Sequence, residues 1–194
     1  MKLLGIVVLV LVVGVLAVRG FVAEGQKAMT PGTVSMVKPN WKELKRADYG
    51  FKINHPQDWL VEYANQGVEL LPKDNPKVFD ADLKREVASP GVNIKLVDLP
   101  DENADAVTQF IQFRPDGYNG YKQIKKYPCT IPNSTHATAY EFQYDAGTIR
   151  FIALSLIVQN GTRMFNVTAS GRSEDFEKFR SDLTDIVFSF GVLK

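Results

Sequence analysis

The stretch Ser173–Phe190 reads SEDFEKFRSDLTDIVFSF. Phe176, Phe179, Leu183, Ile186, Val187 and Phe190 recur at helical spacing, so a helix here has one apolar face and one charged face. Ser173 stands where an N-cap is expected, and Glu174 and Asp175 fall in the first turn, where the helix dipole favours negative charge. Gly191 follows the last apolar position, as a C-cap residue does. A face carrying Phe176, Phe179 and Phe190 needs a broad apolar partner, and these side chains are expected in the core.

The strands that supply this partner precede the helix directly. Thr138, Tyr140, Phe142 and Tyr144 alternate with Ala139, Glu141 and Gln143, as on a strand. Thr148–Val158 (TIRFIALSLIV) is apolar on both faces after Arg150, which predicts a central strand covered on both sides. Asn160-Gly161 is a hairpin dipeptide, and Thr162–Ala169 returns. This meander delivers the chain into the helix at Ser173. Further out, Tyr49–Asn54 alternates as a short strand and ends at Pro56, which lacks an N–H. Trp59–Tyr63 and Val68–Leu71 flank Asn65-Gln66-Gly67 as a hairpin, and Gly91–Val97 and Tyr121–Tyr127 read as further strands. Pro72–Pro90 is polar and reads mostly as loop, with Asp80–Val87 a helical candidate inside it. A second helix is expected over Ala104–Arg114, with Val107, Phe110 and Ile111 on its face and Asn103 as its cap.

At the other end, Leu3–Val18 carries no polar side chain, and Leu3–Ala23 is long enough to span a bilayer if Arg19 reaches toward the interface. The leading expectation is an uncleaved anchor over residues 1–23, with a cleaved signal peptide as the alternative. Either exports the remainder of the chain across a membrane. Glu24–Asn40, with Pro31, Gly32 and Pro39, reads as linker, and Trp41–Arg46 as a helical turn before a folded domain over residues 48–194. The fold class is therefore α+β: an antiparallel sheet covered by helices, behind an N-terminal apolar anchor helix.

Composition narrows the function. The chain has 194 residues, 45% of them hydrophobic, with a net charge of +1, so it carries no electrostatic footprint for nucleic acid. A single cysteine, Cys129, excludes an intramolecular disulfide and a thiolate metal cluster within one chain. His55 and His136 have no partner at metal-ligand spacing and read as turn and surface residues. No phosphate-cradling glycine loop, nucleophile elbow or zinc-protease helix is present, so the reading is non-enzymatic, with no cofactor and no metal. Asn133-Ser134-Thr135, Asn160-Gly161-Thr162 and Asn166-Val167-Thr168 match the glycosylation sequon and are read as chance.

Two charged groups are the candidate sites. Asp98, Asp101, Glu102 and Asp105 cluster where carboxylates can hold a hard cation, although a helix N-terminus enriched in acids explains them as well. Lys122, Lys125 and Lys126, with Arg114, form the most basic group. Strand alternation puts Lys122 and Lys126 on one face with Ile124 and Lys125 on the other. The group reads either as an edge strand guarded by lysine or as a docking patch for an acidic partner or lipid headgroups.

The run Tyr49-Gly50-Phe51-Lys52-Ile53-Asn54-His55-Pro56-Gln57-Asp58-Trp59 resembles the opening strand of PsbP-like domains, aromatic-x-apolar-x-x-Pro-x-x-Trp. The later order is similar too: strand Val92–Val97, acidic turn, helix from Ala104, meander Ala137–Ala169 and a final helix ending Phe188-Ser189-Phe190. The resemblance covers about Asp48–Phe190 and implies the Mog/PsbP fold, an antiparallel sheet between helices. Members include extrinsic photosystem II subunits that help retain calcium and chloride, a Ran-binding protein, and secreted bacterial lipoproteins, some described as binders of hydrophobic ligands. Together with the apolar run and the linker, the resemblance implies an accessory or binding domain outside the cytoplasm, tethered through residues 3–23 and facing a protein partner in a membrane complex. The alternative is a carrier of an apolar ligand held between sheet and helix. Binding is expected on the Pro72–Pro90 and Asp98–Asn103 loops and on the Lys122–Lys126 strand.

Overall fold

The structure, a computed structural model, describes residues 38–64, 67–74, 77–81, 84–106 and 118–194. The expected anchor and most of the linker lie outside these residues, as does the second helix beyond Ala106. No helix among the described residues is long and apolar enough to cross a membrane.

The meander forms as its alternation predicts. Strands β9 (His136–Ala146), β10 (Ile149–Asn160) and β11 (Arg163–Arg172) pair antiparallel in sequence. The pairing of Asn160 with Arg163 puts the turn on Gly161-Thr162, one residue later than the Asn-Gly dipeptide suggests, with Gly161 at φ +60°. A glycine at the first central position with φ positive suits the right-handed twist of the flanking strands.

Around the meander, β3 (Leu60–Ala64), β4 (Gly67–Leu71), β7 (Gly91–Asp98) and β8 (Asn119–Pro128) complete a seven-stranded sheet in the order β3-β4-β7-β11-β10-β9-β8. Every pairing in it is antiparallel. A smaller sheet has the order β1-β2-β12, from Trp41–Arg46, Phe51–Pro56 and Gly191–Val192.

Trp41–Arg46 is therefore a strand and not a helical turn. Its six residues are too short and too charged to show a period, and pairing of Arg46 with Phe51 across the Asp48–Gly50 turn decides the matter. Arg46 grips Asp48 in that turn and draws its carboxyl down to about 2. Inside the polar segment, β5 (Lys77–Asp80) and β6 (Arg85–Ala88) form a separate hairpin where loop or helix is expected. Val78 and Val87, paired across it, pack on the second core cluster, while Phe79 points out.

The helix α1 spans Ser173–Phe188. Its N-cap is Arg172, not Ser173. The chain enters the helix directly from β11, and its first turn is tied to a distant serine: Ser89 Oγ accepts from the Arg172 N–H at 2.9 Å and donates to Asp175 at 2.7 Å. The helix ends at Ser189, whose hydroxyl donates to the Ile186 carbonyl and accepts from the Asn54 N–H. Gly191 is thus not a C-cap residue but opens β12, opposite Lys52.

Phe176, Leu183, Ile186 and Val187 are fully buried against Leu154, Leu156, Phe165, Val167 and Ala169 of the sheet. Phe51 of the small sheet joins this layer through Phe165 and Phe190. Phe179, expected in the core, sits half-buried at its margin with the Lys178 ammonium over its ring. Beneath, Tyr140, Phe142, Tyr144, Phe151 and Ile157 form a second core on the opposite face of the sheet, with Leu99 and Ala106. The central strand β10 is covered on both sides, as its sequence predicts.

Candidate functional site

The second sheet face is apolar chiefly on its β9–β10 side. Across the middle of β4, β7 and β11 it carries polar side chains, Glu69 on β4, Asn93 and Lys95 on β7, Asn166, Thr168 and Ser170 on β11, with Leu71, Val97 and Met164 as apolar neighbours on the same face. The same strands turn Val68, Leu70, Val92, Ile94, Phe165, Val167 and Ala169 toward α1, where each is buried. One face is thus sealed by the helix. The other opens as a groove of about 460 Å³, bounded by the β5–β6 hairpin on one side and by Tyr118 and Tyr144 at the apolar end. Gly91 lets the hairpin approach: a Cβ there would lie 3.1 Å from that of Ala88.

The floor of the groove is ordered by its own hydrogen bonds. The Thr168 hydroxyl donates to Asn166 Oδ1 at 2.8 Å and lies 2.7 Å from the Ser155 hydroxyl. A hydroxyl has one proton to give, so Ser155 is the donor to Thr168. On the neighbouring strand Asn93 Nδ2 donates to Glu69 Oε1 at 3.1 Å. Lys95, Glu62 and Ser170, also lining the groove, have no side-chain hydrogen bond or ion pair among the described residues. Polar groups set across adjacent strands in a concave face must stay wet or meet a polar ligand, because burying them unpaired costs about 1–3 kcal/mol each. This arrangement fits binding of a polar group. It contains no nucleophile paired with a base.

The candidate sites read from the sequence lie elsewhere. Asp98 ends β7, Asp101 accepts from the Asn103 N–H, and the backbone carbonyl of Glu102 accepts from Gln159. Among the described residues no three carboxylate, histidine or cysteine side chains converge on a metal position, Asp98, Asp101, Glu102 and Asp105 included. Lys122, Lys125 and Lys126 lie on β8, at the edge of the sheet. Arg114 lies outside the described residues.

A bulge between Gln123 and Lys125 changes how the lysines divide. Lys122 pairs with Gln143 and Lys125 with Glu141, on the α1 face, while Lys126 pairs with Tyr140 on the other. The expected grouping of Lys122 with Lys126 is corrected by this extra residue, Ile124. The Lys125 and Lys126 ammonium groups sit over the rings of Tyr127 and Tyr140, at 4.7 and 5.4 Å. Bulges and lysines together interrupt an edge that would otherwise template another strand.

His55 is not a turn residue. It is buried in β2, and its Nδ1 donates to the Pro56 carbonyl at 2.8 Å. Burial pushes its pKa below the ordinary 6.5, against the pull of that hydrogen bond, and Lys42 opposite it on β1 adds to the fall. The unfolded chain therefore binds a proton before the folded one does. Stability should be level above about pH 6.5 and fall as the pH drops toward the folded pKa. Urea midpoints measured from pH 8 to pH 5 should show this slope, and His55→Gln should flatten it. An unchanged slope in that variant would mean that another group sets it.

The groove was missed in the sequence, although β11 carries its signal. Asn166, Thr168 and Ser170 alternate with Phe165, Val167 and Ala169, the pattern of an antiparallel strand with one face in the core and the other open.

No protein-family model and no curated protein matches the chain. Solved structures do. A cyanobacterial PsbP from Synechocystis sp. PCC 6803 superposes with a TM-score of 0.54 at 10% identity, over 81% of this chain and 95% of that one. LpqN of Mycobacterium tuberculosis, described as involved in cell envelope biogenesis, superposes with a TM-score of 0.54 at 12% identity, over 79% of this chain and 91% of that one. At such identities the likeness shows the fold alone, and that fold is PsbP-like.

Proposed function

We propose, with the PsbP-like fold as premise, that this chain is a non-enzymatic accessory or binding domain, held at a membrane by residues 3–23 and working outside the cytoplasm. The groove is the observation that carries the binding role. Its floor sets the amides of Asn93 and Asn166 and the hydroxyls of Thr168 and Ser170 beside Glu69 and Lys95, groups that hold a ligand by hydrogen bonds. The apolar run Leu3–Ala23 supports the tether. A role at the cell envelope accords with the LpqN likeness, and a role as an extrinsic photosystem-type subunit with the PsbP likeness. The carrier alternative finds less support, because the layer between α1 and the sheet is filled by fully buried side chains.

The protein partner is sought along β8. Lys122 and Lys125 present charge on one side of this edge and Lys126 on the other, so an acidic partner would meet it as a rim. Fractionation of cells expressing the full chain should place it in the membrane pellet and keep it there through a high-salt wash. A photo-crosslinker at Lys122 should then capture a membrane protein. Recovery of the full chain in the cytosol would overturn the proposal.

A further inference from the structure

We infer that the groove on the polar sheet face binds a neutral, hydroxyl-rich ligand of saccharide type; this rests on the binding role proposed above and names the ligand class. The argument begins with charge. Among the described residues, Lys77, Arg85 and Lys95 along the groove are matched by Glu62, Glu69 and Glu86, so these side chains offer no net pull on an anion or a cation. The floor then sets the chemistry. The chain of hydrogen bonds from Ser155 to Thr168 to Asn166 fixes the Asn166 carbonyl as an acceptor already in use, which leaves its amide protons as donors. One strand away, opposite Thr168, Asn93 spends an amide proton on Glu69 and keeps its carbonyl oxygen as an acceptor.

Donors and acceptors thus stand on neighbouring strands, without net charge. Hydroxyl groups on adjacent carbons, each able to donate and accept, match such a surface, whereas phosphate needs donors only and a metal ion acceptors only. Ser170 adds a hydroxyl further along β11. At one end Tyr118 packs on the buried ring of Tyr144, with ring centroids 4.2 Å apart, and closes the groove with an apolar wall. The volume of about 460 Å³ lies in the small-molecule range of roughly 300–1,000 Å³.

The test uses the full chain in lauryldimethylamine oxide micelles, which carry no sugar. Saturation-transfer NMR is run with glucose, N-acetylglucosamine, maltose and cellobiose, and separately with inorganic phosphate and calcium as competitors. At least one saccharide should receive saturation on its ring protons, and neither phosphate nor calcium should displace it. Asn166→Val with Thr168→Val should weaken binding by about 30-fold, a loss expected of two or more hydrogen bonds. Should that pair fail to fold, Ser170→Ala, which buries no new polar group, should still weaken binding by about fivefold. Lys45→Ala, on β1 and away from the groove, should leave it unchanged.

Absence of transfer to every saccharide, displacement by phosphate or calcium, or full binding in the folded groove variants would each overturn the inference. A chain that binds no saccharide yet stays in the membrane pellet and crosslinks to a membrane protein loses the ligand class only. A cytosolic chain that binds saccharide loses the accessory role and keeps the groove.

Discussion

Phe176→Ala is expected to remove about 3–5 kcal/mol of folding stability, while Phe179→Ala, three residues on, removes only about 1 kcal/mol. Both side chains fall on the apolar face of Ser173–Phe190 by helical spacing, and the sequence alone treats them alike. The structure separates them. Phe176 is fully buried against the sheet with the Arg180 guanidinium 5.0 Å from its ring centre. Phe179 is only partly buried at the margin of the core, with Lys178 over its ring. Removing Phe176 leaves a cavity that the surrounding side chains fill only in part, and the loss is a large share of the 5–15 kcal/mol typical of a domain. Urea unfolding of the two variants reads the difference as a shift in midpoint at constant slope. Equal losses would mean that α1 is rotated on the sheet, with Phe179 packed as deeply as Phe176.

Arg180→Met is expected to cost about 1.5–3 kcal/mol, more than a surface ion pair would. Glu141 is a carboxylate inside the sheet, 7% exposed. It accepts from Arg180 Nη1 at 2.9 Å and from the Tyr127 hydroxyl at 3.0 Å. Burial, with Glu141 adding to it, pushes the Tyr127 hydroxyl up to about 12, so it remains a donor at every physiological pH. Arg180 also holds Glu177 one turn back on α1, which fixes its guanidinium over the sheet. Without it, Glu141 keeps a single donor. The double variant Arg180→Met with Glu141→Met should recover most of the loss, because a well-packed apolar pair is often as stable as the ion pair it replaces. If the double variant is as unstable as the sum of the single ones, Arg180 and Glu141 are not coupled.

How far the sequence speaks depends on whether a local pattern or a distant contact sets each feature. The meander and α1 were legible because their apolar periods are long and uninterrupted. The PsbP-like order was legible from the Tyr49–Trp59 run and the sequence of elements after it. Trp41–Arg46 and the β5–β6 hairpin were not, because strands of four to six residues, half or more of them charged, carry no clear period and their pairing partners decide. The caps of α1 also escaped, since Ser89 and Asn54 reach its ends from far along the chain. The split of the lysines escaped for a smaller reason: a single bulged residue inverts the faces of all the residues beyond it. The groove is the instructive case. Its residues Glu69, Asn93, Asn166 and Thr168 come from three strands, and each alone reads as an ordinary polar residue. Only the strand order β4-β7-β11 brings them together.

The central claim is that the sheet is sealed by α1 on one face while the other face is open and polar over β4, β7 and β11, and that binding belongs to this open part. Cysteine labelling tests this directly. Cys129, a half-buried thiol that burial pushes up to about 11, is first replaced by serine to clear the background. In that chain, Asn166→Cys should react with a small maleimide at close to the rate of an exposed thiol under native conditions. Val167→Cys, its neighbour on β11, should react only on unfolding, because its side chain lies fully buried beneath α1. A reactive residue 167 with a protected residue 166 would reverse the two faces and contradict the account.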